Sequence, residues 1–369
     1  MLYYLAEWIN KKFAPPGFEI FRFQTWRAAI SAITAMIISF WIGPKIIKYL
    51  KKKNAGEEIR SDGPQTHHAK AGTTTMGGVI VLLSILIPVL LWADLKNIYI
   101  ILMLISTVWM GLVGFTDDYL KVFKKMKKGL VARYKLANQI GLGLVIACLI
   151  FFLPEFKHIN SITTIPFLKH VEFDFSYLYI PFMVFIITAT SNAVNLTDGL
   201  DGLAIGCVGI AGLALGLMSY ISGNEIFSQY LAIIYLPGNG ELMIYCAALV
   251  GASLGFLWFN SYPAQIFMGD TGSLALGGAI GTLCILIKKE FLLPVLGGIF
   301  FAESISVIIQ RMYFKYTKKR YGAGVRVFKM APIHHHFEMK GIPESKIVAR
   351  FYIVAIILAI VTMATFKIR

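Results

Sequence analysis

Ten long apolar segments punctuate the chain, near 26–47, 76–92, 98–115, 136–153, 177–194, 203–220, 242–259, 273–287, 291–313 and 347–366. Most approach the about 20 residues that an α-helix needs to cross hydrocarbon, so the pattern predicts an all-α, polytopic membrane protein with about ten transmembrane helices. The polar connections set its orientation. The connections 45–72 and 116–135 carry seven Lys and Arg each and 311–346 carries nine, 23 in all. The opposite set, including the N-terminal stretch, holds eleven, and Arg350 falls within the last segment. The excess predicts that these three connections are cytoplasmic, that the number of crossings is even and that both termini lie outside. Lys288-Lys289 is the one short outer loop that runs against this assignment. Residues 221–241, rich in turn formers and without Lys or Arg, are expected to face outward. No fixed-period repeat or low-complexity tract divides the chain, which reads as one integral-membrane domain over 1–369, with 1–25 as an interfacial segment and 311–346 as the large cytoplasmic loop.

Composition agrees with the bilayer as solvent. Hydrophobic residues make up 57% and charged residues only 15%. The net charge of +15 sits in loops beside apolar spans, where anionic headgroups and anionic substrates are simpler partners than nucleic acid. Cys148, Cys207, Cys246 and Cys284 all fall inside apolar runs without zinc-site spacing, and read as small core residues. The first apolar run is short and is followed by Lys11, Lys12 and Pro15-Pro16-Gly17, which is not the pattern of a cleavable signal.

On the predicted topology every unusual polar cluster falls on the cytoplasmic side. The third span ends in Asp117-Asp118, two adjacent carboxylates beside hydrocarbon. The fifth runs into Asn192, Asn195, Asp198 and Asp201, with Gly199 and Gly202 allowing close backbone approach to a ligand. The seventh delivers Asn260 and then Phe267-Met268-Gly269-Asp270. Capping of the next helix accounts for one Asp in each break but not for the companions. Five carboxylates on one membrane face repel one another unless a cation joins them, and oxygen donors without thiolate favour Mg²⁺ or Mn²⁺.

The last inner loop holds His334-His335-His336. Successive side chains on a short segment diverge, so hydrogen bonding to phosphate or sugar suits the three better than one shared metal. Lys70 and Thr75, before the second span, are within reach of a phosphate at its start. Glu303 and Gln310 read as polar glue within the ninth span and stay outside the expected site.

These segments, Phe115 to Asp118, Asn192 to Gly202, Phe267 to Asp270 and Pro332 to Phe337, resemble those of the phospho-N-acetylmuramoyl-pentapeptide-transferases, in the polyprenyl-phosphate N-acetylhexosamine-1-phosphate transferase superfamily. The resemblance covers essentially the whole chain; the aspartate motifs are shared across the superfamily, and the triple histidine and the Lys70 to Thr75 segment are closer to the muramoyl branch. It implies a multi-pass protein of the bacterial inner membrane with both termini periplasmic. The implied reaction is Mg²⁺-dependent transfer of phospho-MurNAc-pentapeptide from UDP-MurNAc-pentapeptide to undecaprenyl phosphate, giving lipid I and UMP in peptidoglycan synthesis. A homodimer is compatible with it. Carried over by motif, Asp270 would hold the metal and Asp117 and Asp118 would lie near the lipid phosphate. Phe267 would stack on uracil, and Lys70, Thr75, Asn192, Asn195, Asp198, Asp201 and Asn260 would line the nucleotide pocket. His334, His335 and His336 would act at the pyrophosphate or the sugar.

Overall fold

The computed structural model describes residues 1–53, 72–126, 129–166 and 172–365. Its helices are α1 (Leu2–Phe13), α2 (Gln24–Lys52), α3 (Gly78–Trp92), α4 (Ile98–Val122), α5 (Ala132–Phe152), α6 (Tyr179–Thr197), α7 (Leu203–Ser222), α8 (Glu225–Leu231), α9 (Leu242–Asn260), α10 (Gly269–Leu286), α11 (Leu293–Leu296), α12 (Gly298–Tyr321), α13 (Ile333–Glu338) and α14 (Glu344–Ala364). A short antiparallel hairpin, β1 (Ile162–Thr164) with β2 (Glu172–Asp174), is the one sheet among the described residues. Each apolar segment of the sequence falls on a helix. Eight helices are long and apolar enough to cross a membrane, namely α2, α4, α5, α6, α7, α9, α10 and α14. α3 is apolar but has only 15 residues. The segment near 291–313 differs most from its expected form, because the chain turns by 82° at Gly297, between α11 and α12. Helices also outrun the apolar pattern: α2 continues to Lys52 and α4 to Val122, since helical hydrogen bonding persists after the side chains turn polar.

α10 is the axis of the bundle. Every residue from Thr271 to Leu286 is buried, against α3, α4, α6 and α7. Its glycines and alanines allow backbone contact: a Cβ on Gly277 would lie 2.6 Å from the Ser191 Cα of α6. In lipid, where apolar tails offer helices no hydrophobic drive to associate, such close packing is a main source of cohesion.

Polar groups gather at the two ends of the bundle. At one end the buried Glu241 carboxylate accepts from both terminal nitrogens of Arg27 at 2.5 and 2.9 Å and from the Asp94 N–H at 3.1 Å. At the same end Glu290 accepts from Tyr179 and Thr163, Lys288 Nζ donates to the Tyr179 hydroxyl at 3.0 Å, and Lys289 Nζ donates to Thr164 Oγ1 at 3.2 Å. Both lysines are buried. The discordant pair of the charge count is thus packed inside the bundle and not free in a loop. Of the four free cysteines, Cys207, Cys246 and Cys284 are buried, whereas Cys148 is exposed on α5 and is not a core residue.

Candidate active site

Asp117 and Asp118 are consecutive in the last turns of α4, so they project about 100° apart around the helix. The chemistry of the two diverges accordingly. Asp118 points at the start of α10: Oδ1 accepts the Asp270 N–H at 3.1 Å, and Oδ2 accepts the Thr271 N–H at 2.8 Å and the Thr271 hydroxyl at 2.6 Å. A carboxylate from one helix thus caps the positive end of another. The approach depends on glycine at two points. A Cβ on Gly114 would sit 2.1 Å from the Asp270 carbonyl oxygen, and Gly269, at φ +74°, leaves no room for one beside Asp118 Oδ2.

Asp117 points instead at a cluster of cations. Its carboxylate meets Lys121 Nζ at 2.5 Å and Lys135 Nζ at 3.0 Å, and accepts the Leu130 N–H at 2.6 Å. The same two lysines reach Asp270 Oδ2, at 3.1 and 2.5 Å. Asn195 Nδ2 donates to Asp270 Oδ1 at 2.8 Å and to Ser273 Oγ at 2.7 Å. One carboxylate oxygen from each of Asp117, Asp118 and Asp270 lies within 4.8 Å of the others. That all-oxygen donor set suits a hard divalent cation. Both oxygens of Asp118 hold the α10 terminus, and those of Asp117 and Asp270 meet Lys121, Lys135, Leu130 and Asn195, so an ion here would share the acids with partners they already have. Lys121 and Lys135 bridge Asp117 and Asp270 and offset their repulsion.

The other described residues singled out by sequence lie on the loops and helix ends near those that carry the acids. Thr75 Oγ1 faces Gly269, where a Cβ would lie 3.1 Å away. The Phe267 N–H donates to the Thr74 carbonyl at 2.7 Å, and Gly77 and Gly78 donate to the Phe267 and Met268 carbonyls, so the 74–78 and 266–268 segments run together. Asn260 is buried, holding the Gly202 N–H through Oδ1 at 3.1 Å and donating to the Ile266 carbonyl at 2.9 Å. Asp201 accepts the Ala264 N–H at 2.9 Å, while its own N–H goes to Glu344 Oε1 at 2.7 Å. Asn192 donates to Gln139 Oε1 at 2.9 Å. Asp198 caps the C-terminal end of α6 with a backbone bond to the Asn195 carbonyl. Lys70 lies outside the described residues.

The three histidines diverge on α13. His334 is buried, with Nδ1 3.0 Å from Glu303 Oε2, and its Nε2 abuts Gly199, where a Cβ would lie 2.3 Å away. His335 Nδ1 lies 2.7 Å from Glu338 Oε2. His336 Nδ1 accepts the Lys329 N–H at 3.1 Å, and burial together with nearby Lys340 and Lys329 holds its imidazole below the ordinary value. The α13 loop therefore joins the acid-bearing loops through His334 and the 198–202 turn. Lys135, Gln139, Glu303 and Glu344 were not among the expected site residues. Lys135, Asn138 and Gln139 carry a legible signal, three polar side chains within the first turns of an apolar helix. Gln310 is a loop anchor, bonding the Val327 and Phe328 backbone.

Residues 100–288 match the family model described as Glycosyl transferase family 4, a stretch that holds all five aspartates and ends before α13. A phospho-N-acetylmuramoyl-pentapeptide-transferase from Chlorobium phaeobacteroides (strain DSM 266 / SMG 266 / 2430) is 51% identical over 369 residues, with all of both chains covered. Proteins of the same name from Pelodictyon phaeoclathratiforme and Flavobacterium psychrophilum are 50% and 47% identical, again over the whole of both chains. The chain belongs to glycosyl transferase family 4, and within it to the phospho-N-acetylmuramoyl-pentapeptide-transferases.

Proposed function

We propose that the protein transfers phospho-MurNAc-pentapeptide from UDP-MurNAc-pentapeptide to undecaprenyl phosphate, releasing UMP and forming lipid I, at the cytoplasmic face of the bacterial inner membrane. The observation that carries this reading is the convergence of Asp117, Asp270, Asn195, Lys121 and Lys135 at one end of an apolar bundle. Full-length identity of about half to relatives bearing that enzyme name supports the choice of donor and lipid acceptor. On this reading the chain crosses ten times as one integral domain with both termini periplasmic, α3 and the bent α11–α12 pair completing the eight longer spans.

The reaction brings an anionic lipid phosphate against an anionic pyrophosphate, and the site must offset charge as UMP departs. Mg²⁺, when bound, would supply Lewis acidity to the pyrophosphate; Asp270 would hold it, with Asp117 beside it. Lys121 and Lys135 present two ammonium groups to the same phosphates, held in position by the two acids. Asn195 fixes the Asp270 carboxylate through its other oxygen. A phosphomonoester with a second pKa near about 6 is largely dianionic at pH 7, so direct attack by the lipid phosphate needs little from a base. Engagement of Asp117 by two lysines and a backbone N–H favours a charge-organising duty over proton abstraction. Phe267 stacks on uracil; Lys70, Thr75, Asn192 and Asp198 contact the nucleotide, and Asp201 and Asn260 hold the backbone of its pocket. The histidines act at the pyrophosphate or sugar, His334 through the Glu303 pair.

Acids at span ends, away from the middle of the bundle, fit an enzyme better than a transporter with ion sites at mid-bilayer. The test is purified protein with undecaprenyl phosphate, Mg²⁺ and either UDP-MurNAc-pentapeptide or UDP-GlcNAc, followed by UMP release. No UMP from either donor sinks the proposal, and release from UDP-GlcNAc alone moves the chain to the sister branch.

A further inference from the structure

The turn between α6 and α7, residues 198–202, carries two of the acids singled out by sequence and is held from two sides. On one side Asn260 Oδ1 of α9 accepts the Gly202 N–H at 3.1 Å, and the Ala264 N–H donates to Asp201 Oδ2 at 2.9 Å. On the other side both bonds come from α14. Glu344 Oε1 accepts the Asp201 N–H at 2.7 Å, and the Tyr352 hydroxyl donates to the Gly202 carbonyl at 2.6 Å. The Tyr352 ring lies against the α7 backbone at Gly206, where no Cβ would fit.

Glu344 is the first residue of α14 and is buried. A carboxylate there complements the positive end of its own helix, yet this one also reaches a backbone N–H 143 residues away in the chain. Ten residues before it, His334 sets Nε2 against Gly199, near the other end of the same turn. α13 and α14 are tied together by the Ile342 N–H, which donates to the Phe337 carbonyl at 3.3 Å, and by the edge-on contact of the Phe337 and Phe351 rings. The 334–344 segment therefore grips the turn twice, with His334 at Gly199 and Glu344 at Asp201. Both grips come from outside the 100–288 stretch that carries the five aspartates.

We infer that Glu344 is a positioning residue for the nucleotide donor: by holding the Asp201 N–H it sets the register of the 198–202 turn against His334. It acts through the turn and not on the substrate itself. The inference rests on the function proposed above, and its test fails separately, because wild-type turnover tests the function and the α14 variants test the positioning. Loss of a hydrogen bond to a charged acceptor in Glu344→Ala is expected to raise the KM for UDP-MurNAc-pentapeptide about tenfold or more, with the KM for undecaprenyl phosphate changed less than about twofold. Glu344→Gln keeps an acceptor oxygen and is expected to bring the donor KM back to within about threefold of wild type. A merely structural loss lowers the active fraction, and so the apparent kcat, and leaves both KM values in place. Tyr352→Phe removes one hydroxyl from the same side of the turn and is expected to raise the donor KM about threefold. Glu225→Ala, the first-turn acid of α8 beyond the far end of α7, is the control and is expected to match wild type. An active wild type with an unchanged donor KM in Glu344→Ala, or in Tyr352→Phe if the alanine variant does not fold, overturns the inference. So does a rise in donor and lipid KM together, or a glutamine variant no better than alanine.

Discussion

Removing the Asp118 carboxylate should unfold the site before it slows the chemistry. In Asp118→Ala the backbone N–H groups of Asp270 and Thr271 lose their acceptor at a buried position, while the Thr271 hydroxyl can rotate toward another. Each buried donor left unsatisfied costs about 1–3 kcal/mol, and a lost cap carboxylate adds up to about 2 kcal/mol from the helix dipole. Relief from burying a charge offsets part of this, leaving a loss of about 3–5 kcal/mol. An unfolding entropy of about 2.1 cal/mol/K per residue gives roughly 0.8 kcal/mol/K for this length, so Tm should fall by about 4–6 °C. Asp118→Asn keeps one acceptor oxygen and should lose about half as much. The buried thiols of Cys207, Cys246 and Cys284 report unfolding to a thiol-reactive dye in a Cys148→Ser background, which silences the exposed thiol. Asp117→Asn is the comparison: it leaves the α10 terminus intact and should shift Tm less while reducing turnover. A Tm for Asp118→Ala within about 1 °C of wild type would refute the capping role, whatever the activity.

Asp270→Asn should lower UMP release by about two to three orders of magnitude, as expected for loss of one charge-stabilising group; an unaltered rate across a Mg²⁺ titration would remove its metal role. Lys135→Met should leave Asp117 and Asp270 repelling each other across Lys121 alone and reduce kcat at least tenfold, with Lys135→Arg recovering part of it; equal kcat in wild type and Lys135→Met would count against the lysine pair. Glu303→Ala strips the buried His334 ring of its carboxylate partner and should cost about 2–3 kcal/mol of stability, against a smaller loss in Glu303→Gln, measured by the same dye assay. His336 has its folded pKa below the unfolded value of about 6.5, so the stability it contributes as a neutral group is present above that value and is lost as pH falls through it. An NMR titration of ring-labelled histidine should show its midpoint under 6.5; a midpoint above 7 contradicts the effect of Lys329 and Lys340.

The helices were legible because hydrocarbon imposes one rule on every segment that enters it, and each apolar run became a helix. The bend at Gly297 and the shortness of α3 were not, since hydropathy records what a side chain is and not where the backbone turns. The acid cluster was legible for a related reason: two carboxylates beside an apolar span violate that rule and so demand a partner. Which partner each found was hidden, because side-by-side letters become directions about 100° apart on a helix. Asp117 and Asp118 look interchangeable in the sequence, yet one meets two ammonium groups and the other a helix terminus. Lys135 counted in the sequence as one of many loop charges that orient the chain; its one distinguishing mark was the company of Asn138 and Gln139 in the first turns of α5, which bring it to Asp270. The divergence of the two acids also explains how the site tolerates its charge. The charge of Asp118 is partly offset by the positive end of α10 and its three hydrogen bonds there, which leaves Lys121 and Lys135 to serve only Asp117 and Asp270. Two lysines facing two carboxylates make a balanced set, in which neither acid meets the other without a cation between them.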